Sequence, residues 1–144
     1  MVGEVMDELG WRKVFHRIRV GPGKAVGFGL LEQKPVFILA GGPPSNLMGF
    51  LQIALPGILS LAGHAHPELP RLNARLASDI RESDPDWTDF FFGTLEFTEA
   101  LPNFHPMSKR SRLSSIVKAA AIVCIPEGQD CLREGSVVEV QLLR

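Results

Sequence analysis

The sequence predicts an α/β segment followed by a small all-β, barrel-like domain, and three observations carry that expectation. Residues 1–63 order as helix, strand, strand, strand, helix, with a buried-looking strand feeding the second helix. GHAHPELP (63–70) has prolines, a glycine and no periodicity, so 64–70 reads as a linker between segments 1–63 and 71–144. Beyond it, short apolar runs recur between turn-forming clusters, the pattern of a small barrel or sandwich.

Val2, Val5, Met6 and Leu9 fall on one helical face, and Gly10 is a natural stop. WRKVFHRIRV (11–20) reads as a strand, with Val14, His16, Ile18 and Val20 alternating against charged neighbours. GPGK (21–24) is a turn, AVGFGLL (25–31) a glycine-spotted strand and EQK (32–34) a tight connection. PVFILA (35–40) is continuously apolar, as expected of a strand covered on both faces. Ser45 is a reasonable N-cap for a helix over about 46–61, interrupted at Pro56. In the second segment, 71–80, 89–97, 119–126 and 136–143 read as strands. DPDW (84–87), LPNFHP (101–106) and EGQDCLREG (127–135) are turn chemistry, and SSIVKAAA (114–121) suggests a short helix.

The 144 residues are ordinary in composition, 45% apolar and 22% charged, with a net charge of −1. That balance argues against strong binding to nucleic acid or to an anionic membrane. The charge is uneven: residues 1–63 carry 6 basic against 4 acidic side chains, leaving 9 against 12 for 64–144. Two cysteines, Cys124 and Cys131, are too few for a disulfide framework, and Cys124 in AAAIVCIP reads as a buried reduced thiol. MVGEVMDELG lacks the basic region of a secretory signal. The apolar stretch 47–62 is short for a membrane span and reads as a core helix. The expectation is a cytoplasmic protein without a membrane segment.

Candidate chemistry centres on FILAGGPPSN (37–46), where a hydrophobic run stops at two glycines and two prolines before a helix. Gly41, Gly42, Pro43 and Ser45 would set backbone amides around a concavity at a helix start, a geometry that favours an anion. No GxxxxGK[ST] is present, so this is not a P-loop, and a plain strand-to-helix turn is the alternative reading. Lys24, after Gly21-Pro22-Gly23, could reach a phosphate or molybdate as a point charge, or be a solvated loop lysine. His16, Arg17 and Arg19 share a strand whose faces alternate, so only some of them could join one site. His64 and His66 are too few ligands for a metal centre, and no metal site is assigned. His105 reads as a turn residue. Phe90, Phe91 and Phe92 suggest either an exposed aromatic patch or sheet packing, and Lys109, Arg110 and Arg112 form a basic cluster among serines. No catalytic set is recognisable by spacing, and the catalytic residues stay unassigned.

The same residues carry a family resemblance. VFHRIRVGPGKAVGFGLLEQKPVFILAGGPPSNLMGFLQIALPGILSLAG is similar to the last third of the molybdopterin-binding domain of the MoeA family, the molybdopterin molybdenumtransferases. That family's usual pattern is a KPGKP turn, a KPVFGLPGNPVSA segment and a helix with a late proline. Here they stand as Gly21 to Ala25, Leu39 to Asn46 and Pro56. Ser108 to Ser115, Ile125-Pro126-Glu127-Gly128, Leu132, Gly135 and VEVQLL resemble the family's C-terminal β-barrel domain. The resemblance implies insertion of molybdenum from molybdate into adenylylated molybdopterin with release of AMP, magnesium assisting. Lys24 would be an electrostatic contact, with Gly41, Gly42, Pro43 and Ser45 shaping the molybdopterin and phosphate pocket. Two departures remove a charge and an amide from that pocket: Gly21 replaces the family's leading lysine and Gly42 its loop asparagine. The family's N-terminal domains and GGxSxG segment would lie upstream of Met1. The chain is therefore expected to be a C-terminal fragment or a short relative, inactive alone and working as a homodimer or with a partner chain supplying the missing domains. The alternative is a non-catalytic interaction or scaffold module, a role that animal members of the family also serve.

Overall fold

Helix α1 (Val2–Glu8) ends as its sequence demands. Gly10 sits at φ +81, the Trp11 N–H bonds the Met6 carbonyl at 2.9 Å and the Gly10 N–H bonds the Asp7 carbonyl at 3.1 Å. This is a Schellman closure, which needs a residue at ease in the left-handed region. The computed structural model describes residues 2–81, 84–107 and 113–143, and the chain divides into two units, Met1–Glu68 and Leu69–Arg144. The basic cluster at 109, 110 and 112 lies outside the described residues.

In the first unit β1 (Arg12–His16) is followed by the two-residue β2 (Val20–Gly21), β3 (Gly27–Leu31) and β4 (Lys34–Ile38). Strands β1, β3 and β4 form an antiparallel sheet in that order, with a register shift between Lys13 and Phe15. In place of the expected helix-strand-strand-strand-helix order, the run read as one strand over 11–20 is divided into β1 and β2, and the three longer strands form a meander. β4 is not covered on both faces, because Lys34 and Pro35 are exposed. Its unbroken apolar run has a different cause. Phe15, Phe28 and Phe37 are register partners across the three strands, with centroids 6.1 and 4.9 Å apart, forming an aromatic ladder on one face.

Glu32 and Gln33, at φ +48 and +66, make the two-residue connection between β3 and β4, closed by Leu31 opposite Lys34. Positive φ at both central residues marks a type I′ turn, which favours Asn-Gly. Gln33→Gly should therefore stabilise this hairpin by about 1 kcal/mol, read as a higher urea midpoint. An unchanged or lower midpoint would show that the side chain earns its strained position.

Pro43–Leu61 is one helix of 19 residues made of α2 (Pro43–Gly49), a π turn (Phe50–Ala54) and α3 (Leu55–Leu61). The interruption expected at Pro56 takes the form of that π turn. The Leu55 N–H bonds the Phe50 carbonyl, five residues back, just before a residue with no N–H to continue the ladder. Gly57 lets the helix settle on the sheet, since a Cβ there would meet Phe37 Cζ at 2.6 Å. Three residues longer at its start than expected, the helix is long and apolar enough to cross a membrane by length and composition. It is the one such helix among the described residues. As a core helix it is only partly covered: Met48, Gly49 and Ala54 are buried, while Ile58 and Leu61 are exposed.

In the second unit, β5 (Arg71–Leu76), β7 (Thr88–Glu96), β8 (Asn103–Pro106), β9 (Ala121–Ile125) and β11 (Val137–Leu142) close a five-stranded barrel. The order runs β7, β8, β5, β11, β9 and back to β7, antiparallel except for β5 with β8. A small ribbon pairs β6 (Ile80–Arg81) with β10 (Cys131–Leu132), and α4 (Leu113–Lys118) precedes β9. Alternation is visible in β5 and β11, where Ala74, Leu76, Val138 and Val140 point inward between exposed Asn73, Arg75, Val137 and Glu139. LPNFHP, expected as a turn, supplies β8, because Phe104 is the fully buried centre of the core. His105 accordingly sits on a strand, its Nε2 3.2 Å from Glu96 Oε2. The three phenylalanines are not an exposed patch. All are buried, with Phe91 in the barrel core and its neighbours on the opposite face.

Asp79 anchors the loop before the ribbon. Its Oδ1 accepts the Glu134 N–H at 2.8 Å, while Arg133 and Arg81 lie 3.7 and 3.5 Å from Oδ2. The backbone hydrogen bond, helped by the two guanidinium groups, holds its carboxyl below the usual value. A carboxyl depressed on folding stabilises the fold above its unfolded pKa, and the effect is lost as pH falls through the folded value. Asp79→Asn should therefore flatten the loss of stability below about pH 4, measured as the urea midpoint against pH. An identical acid limb in the variant would contradict this.

Candidate functional site

The structure brings the two glycine-proline motifs of the first unit together. Gly23, in the GPGK turn, is buried against the start of the long helix. A Cβ on it would lie 3.6 Å from the Gly49 nitrogen and 3.7 Å from the Ser45 carbonyl oxygen. Those are ordinary contacts, so it is the φ of +130 that calls for glycine. The turn is tied to its strands by the Ile18 N–H to the Lys24 carbonyl at 3.0 Å and the Val26 N–H to the Gly23 carbonyl at 3.1 Å. Lys24, next to Gly23 in the chain, is exposed, and Gly41, Gly42, Pro43 and Ser45 lie between the end of β4 and the first turn of the helix.

The helix start differs from expectation in its donors. Gly42, at φ −76 and ψ 133, is the N-cap, and Pro43 and Pro44 are the first two helical residues. Ser45 is thus the third helical residue and caps nothing. Two of the N–H groups that an anion would find at a helix start are absent, because proline has none. The Asn46 N–H is spent on the Gly42 carbonyl at 2.8 Å. Gly41 and Gly42 are exposed, neither needs a positive φ, and a Cβ on either would meet no atom within 4 Å. Their smallness leaves open space at the turn.

Sequence reasoning missed Asn46. Its Nδ2 donates to the Ala40 carbonyl at 2.9 Å, so the side chain reaches back over the Gly41-Gly42 turn. The signal available was the four-residue spacing, which places a helical side chain above the residue one turn earlier.

Of the other candidates, Arg17 and Arg19 are exposed, and Arg17 holds φ +67. His16 is packed between Gly3 and Gly27 and lines a groove of about 260 Å³ with Glu4, Asp7, Trp11, Lys13 and Arg17. His64 and His66 are exposed. Among the described residues, no three His, Cys, Asp or Glu side chains are grouped to hold a metal ion, so magnesium finds no ligand set there. Cys124 and Cys131 are free thiols, and burial pushes the Cys124 thiol up. In the second unit a half-open groove of about 480 Å³ is lined by Phe90, Cys124, Pro126, Leu132 and Val137. Arg71 and Glu139, 2.8 Å apart, stand on its side.

Residues 73–143 match the family model of the MoeA C-terminal region (domain IV). The chain is 29% identical to molybdopterin molybdenumtransferase 1 of Mycobacterium tuberculosis, covering 99% of this chain and 35% of the relative. It is 25% identical to the molybdopterin molybdenumtransferase of Synechococcus elongatus, covering 99% and 34%. Among solved structures, the molybdopterin biosynthesis MoeA protein of Pyrococcus horikosii superposes with a TM-score of 0.83 at 29% identity, over 99% of this chain and 34% of that one. The chain therefore spans about a third of the length of these relatives. With the barrel matched by the family model and the whole chain aligned to MoeA proteins in sequence and structure, this chain belongs to the MoeA family and corresponds to its C-terminal part.

Proposed function

We propose that this chain supplies the end of the molybdopterin-binding domain and the C-terminal barrel of a molybdopterin molybdenumtransferase. That enzyme takes molybdenum from molybdate into adenylylated molybdopterin and releases AMP. The observation that carries the reading is the packing of the GPGK turn against the helix that begins at GGPP. The GPGK turn carries Lys24, and the exposed glycines of GGPP leave room for a ligand to approach the backbone. In this reading Lys24 contributes a cationic contact to the anionic substrate, and Gly41, Gly42, Pro43 and Ser45 form the floor. The catalytic residues and magnesium ligands are assigned to the rest of the enzyme; among the described residues no three His, Cys, Asp or Glu side chains are grouped to hold a metal ion.

The first unit also exposes apolar surface that a working enzyme would cover. Val2 and Val5 on α1, Leu9 just after it, Val14 on β1 and Leu61 on α3 are all more than half exposed. These faces are docking surfaces for polypeptide equivalent to the rest of the relatives' length, in the same chain or a partner, and for a second protomer. We place the assembly in the cytoplasm. The test is calorimetric titration of adenylylated molybdopterin into this chain combined with the preceding two thirds of the Mycobacterium relative. Saturable binding is expected, and no binding by the pair would overturn the reading.

One observation favours a second reading, a non-catalytic interaction module. The groove on the barrel has an apolar floor and an ion pair at its side, suited to an extended peptide with apolar side chains. Pull-down with the barrel face intact and with Val137→Asp would separate the two readings. Specific capture lost in the variant supports the module, and nothing specific in either counts against it.

A further inference from the structure

We infer that two copies of this chain pair edge to edge through β4, extending the sheet of the first unit across a two-fold axis. The inference stands on the backbone of that sheet and does not depend on the molybdopterin reading. Leu31 and Lys34 flank the two-residue turn, so they form a hydrogen-bonded pair of the β3–β4 ladder. Hydrogen-bonded and non-hydrogen-bonded pairs alternate from there. Val36, opposite Gly29, and Ile38, opposite Gly27, therefore spend their backbone groups on β3. Pro35, Phe37 and, one residue beyond the strand, Leu39 turn theirs outward. The sheet order is β1-β3-β4, so among the described residues no strand lies beside β4 to receive them.

The two edges of this sheet differ in their protection. β1 has a register shift between Lys13 and Phe15, and Arg12 and Lys13 are exposed on it, devices that discourage strand addition. β4 has exposed Lys34 and Pro35 at its start and no such device after them. Residues 35–67 contain no Asp, Glu, Lys or Arg. An apolar, uncharged edge with open N–H and C=O groups is a template for another strand.

The strand that fits is a second β4, because the edge is self-complementary. An isologous pair centred in the apolar half of the strand puts either Phe37 or Ile38 opposite its own copy. With Phe37 at the centre, each Leu39 carbonyl meets a Pro35 that has no N–H to give. With Ile38 at the centre, Phe37 and Leu39 of one copy exchange both their bonds with Leu39 and Phe37 of the other. That register satisfies every outward N–H and C=O of these two residues and is the one assigned. Pro35 then lies at the rim, opposite the exposed Gly41. Phe37, the last ring of the aromatic ladder, gains the second copy's Leu39 beside it, which continues the apolar face.

Sedimentation equilibrium of the full 144-residue chain at micromolar concentration should give a dimer. Leu39→Pro removes an outward N–H that β3 does not use. It should raise the dimer's dissociation constant about tenfold or more, the size expected when the pair loses one hydrogen bond at each end. Cysteine cross-linking reads the register separately, in a Cys124→Ser, Cys131→Ser background. Ile38→Cys should oxidise to a covalent dimer, since opposed residues of a non-hydrogen-bonded pair have Cα atoms about 4.5 Å apart. Val36→Cys, which stands opposite Ala40, should not. A monomeric chain, a dimer that Leu39→Pro leaves as tight, or an Ile38→Cys variant that does not cross-link would each overturn the inference. Amide exchange at Phe37 and Leu39 that slows only when the preceding two thirds of the Mycobacterium relative is added would overturn it too, giving this edge to a different polypeptide.

Discussion

Phe104→Ala should lower the stability of the barrel unit by about 4 kcal/mol, within the range for removing a fully buried phenylalanine. Its ring has no exposed surface and is the largest fully buried side chain among the described residues. It fits because Gly93, on the neighbouring strand, has no Cβ. A methyl there would stand 2.3 Å from Phe104 Cζ and 2.6 Å from the His105 carbonyl oxygen. Gly93→Ala should itself cost about 3 kcal/mol by overpacking. In the Phe104→Ala background the same methyl enters vacated space and should cost less than half as much, the remainder coming from the His105 carbonyl. That non-additivity is the signature of two residues sharing one volume. Urea unfolding of the four proteins measures it. A loss below about 1 kcal/mol for Phe104→Ala, or strict additivity, would show that the ring does not fill the space over Gly93.

Gly29→Ala should be nearly as damaging in the first unit, at about 3 kcal/mol. A Cβ on Gly29 would lie 2.4 Å from Trp11 Cε2 and Nε1, and 2.6 Å from the Arg12 carbonyl oxygen on the paired strand. The indole packs against the glycine, on the sheet face opposite the aromatic ladder, and Trp11 is only 5% exposed. Its Nε1 has no hydrogen-bond partner among the described residues, so displacing the ring gives up packing without freeing a hydrogen bond. The carbonyl belongs to the strand ladder and cannot yield cheaply. Trp11 fluorescence, read in a Trp87→Phe background, should shift to the red as the indole moves toward water. An unshifted spectrum with unchanged stability would contradict the packing.

What was legible in the sequence follows the reach of each interaction. Local rules exposed the α1 stop at Gly10, the helix interruption near Pro56, and strands over 71–80 and 136–143. The long-range features were hidden. LPNFHP looks like a turn because its prolines and asparagine dominate the local signal, yet Phe104 makes it a barrel strand. The run 35–40 looks like a doubly covered strand because the aromatic ladder needs partners on β1 and β3 that no local window contains. At the site, the gathering of GPGK with GGPP came from the family pattern and not from spacing. The start of the helix was misplaced by three residues because Ser45 has capping chemistry, while Pro43-Pro44 has the stronger preference for the first turn. Asn46 went unnoticed because its partner is a backbone carbonyl, which leaves no trace in composition.

The central claim is that these 144 residues form a working molybdopterin-binding part of a molybdenumtransferase. The most direct measurement replaces the aligned C-terminal third of the Mycobacterium tuberculosis relative with this chain and follows molybdate-dependent release of AMP from adenylylated molybdopterin. Release well above that of the relative lacking its C-terminal third, and reduced by Lys24→Ala, is the predicted result. Release no greater than that of the truncated relative, from a chimera that folds and binds its partner protomer, would contradict the claim.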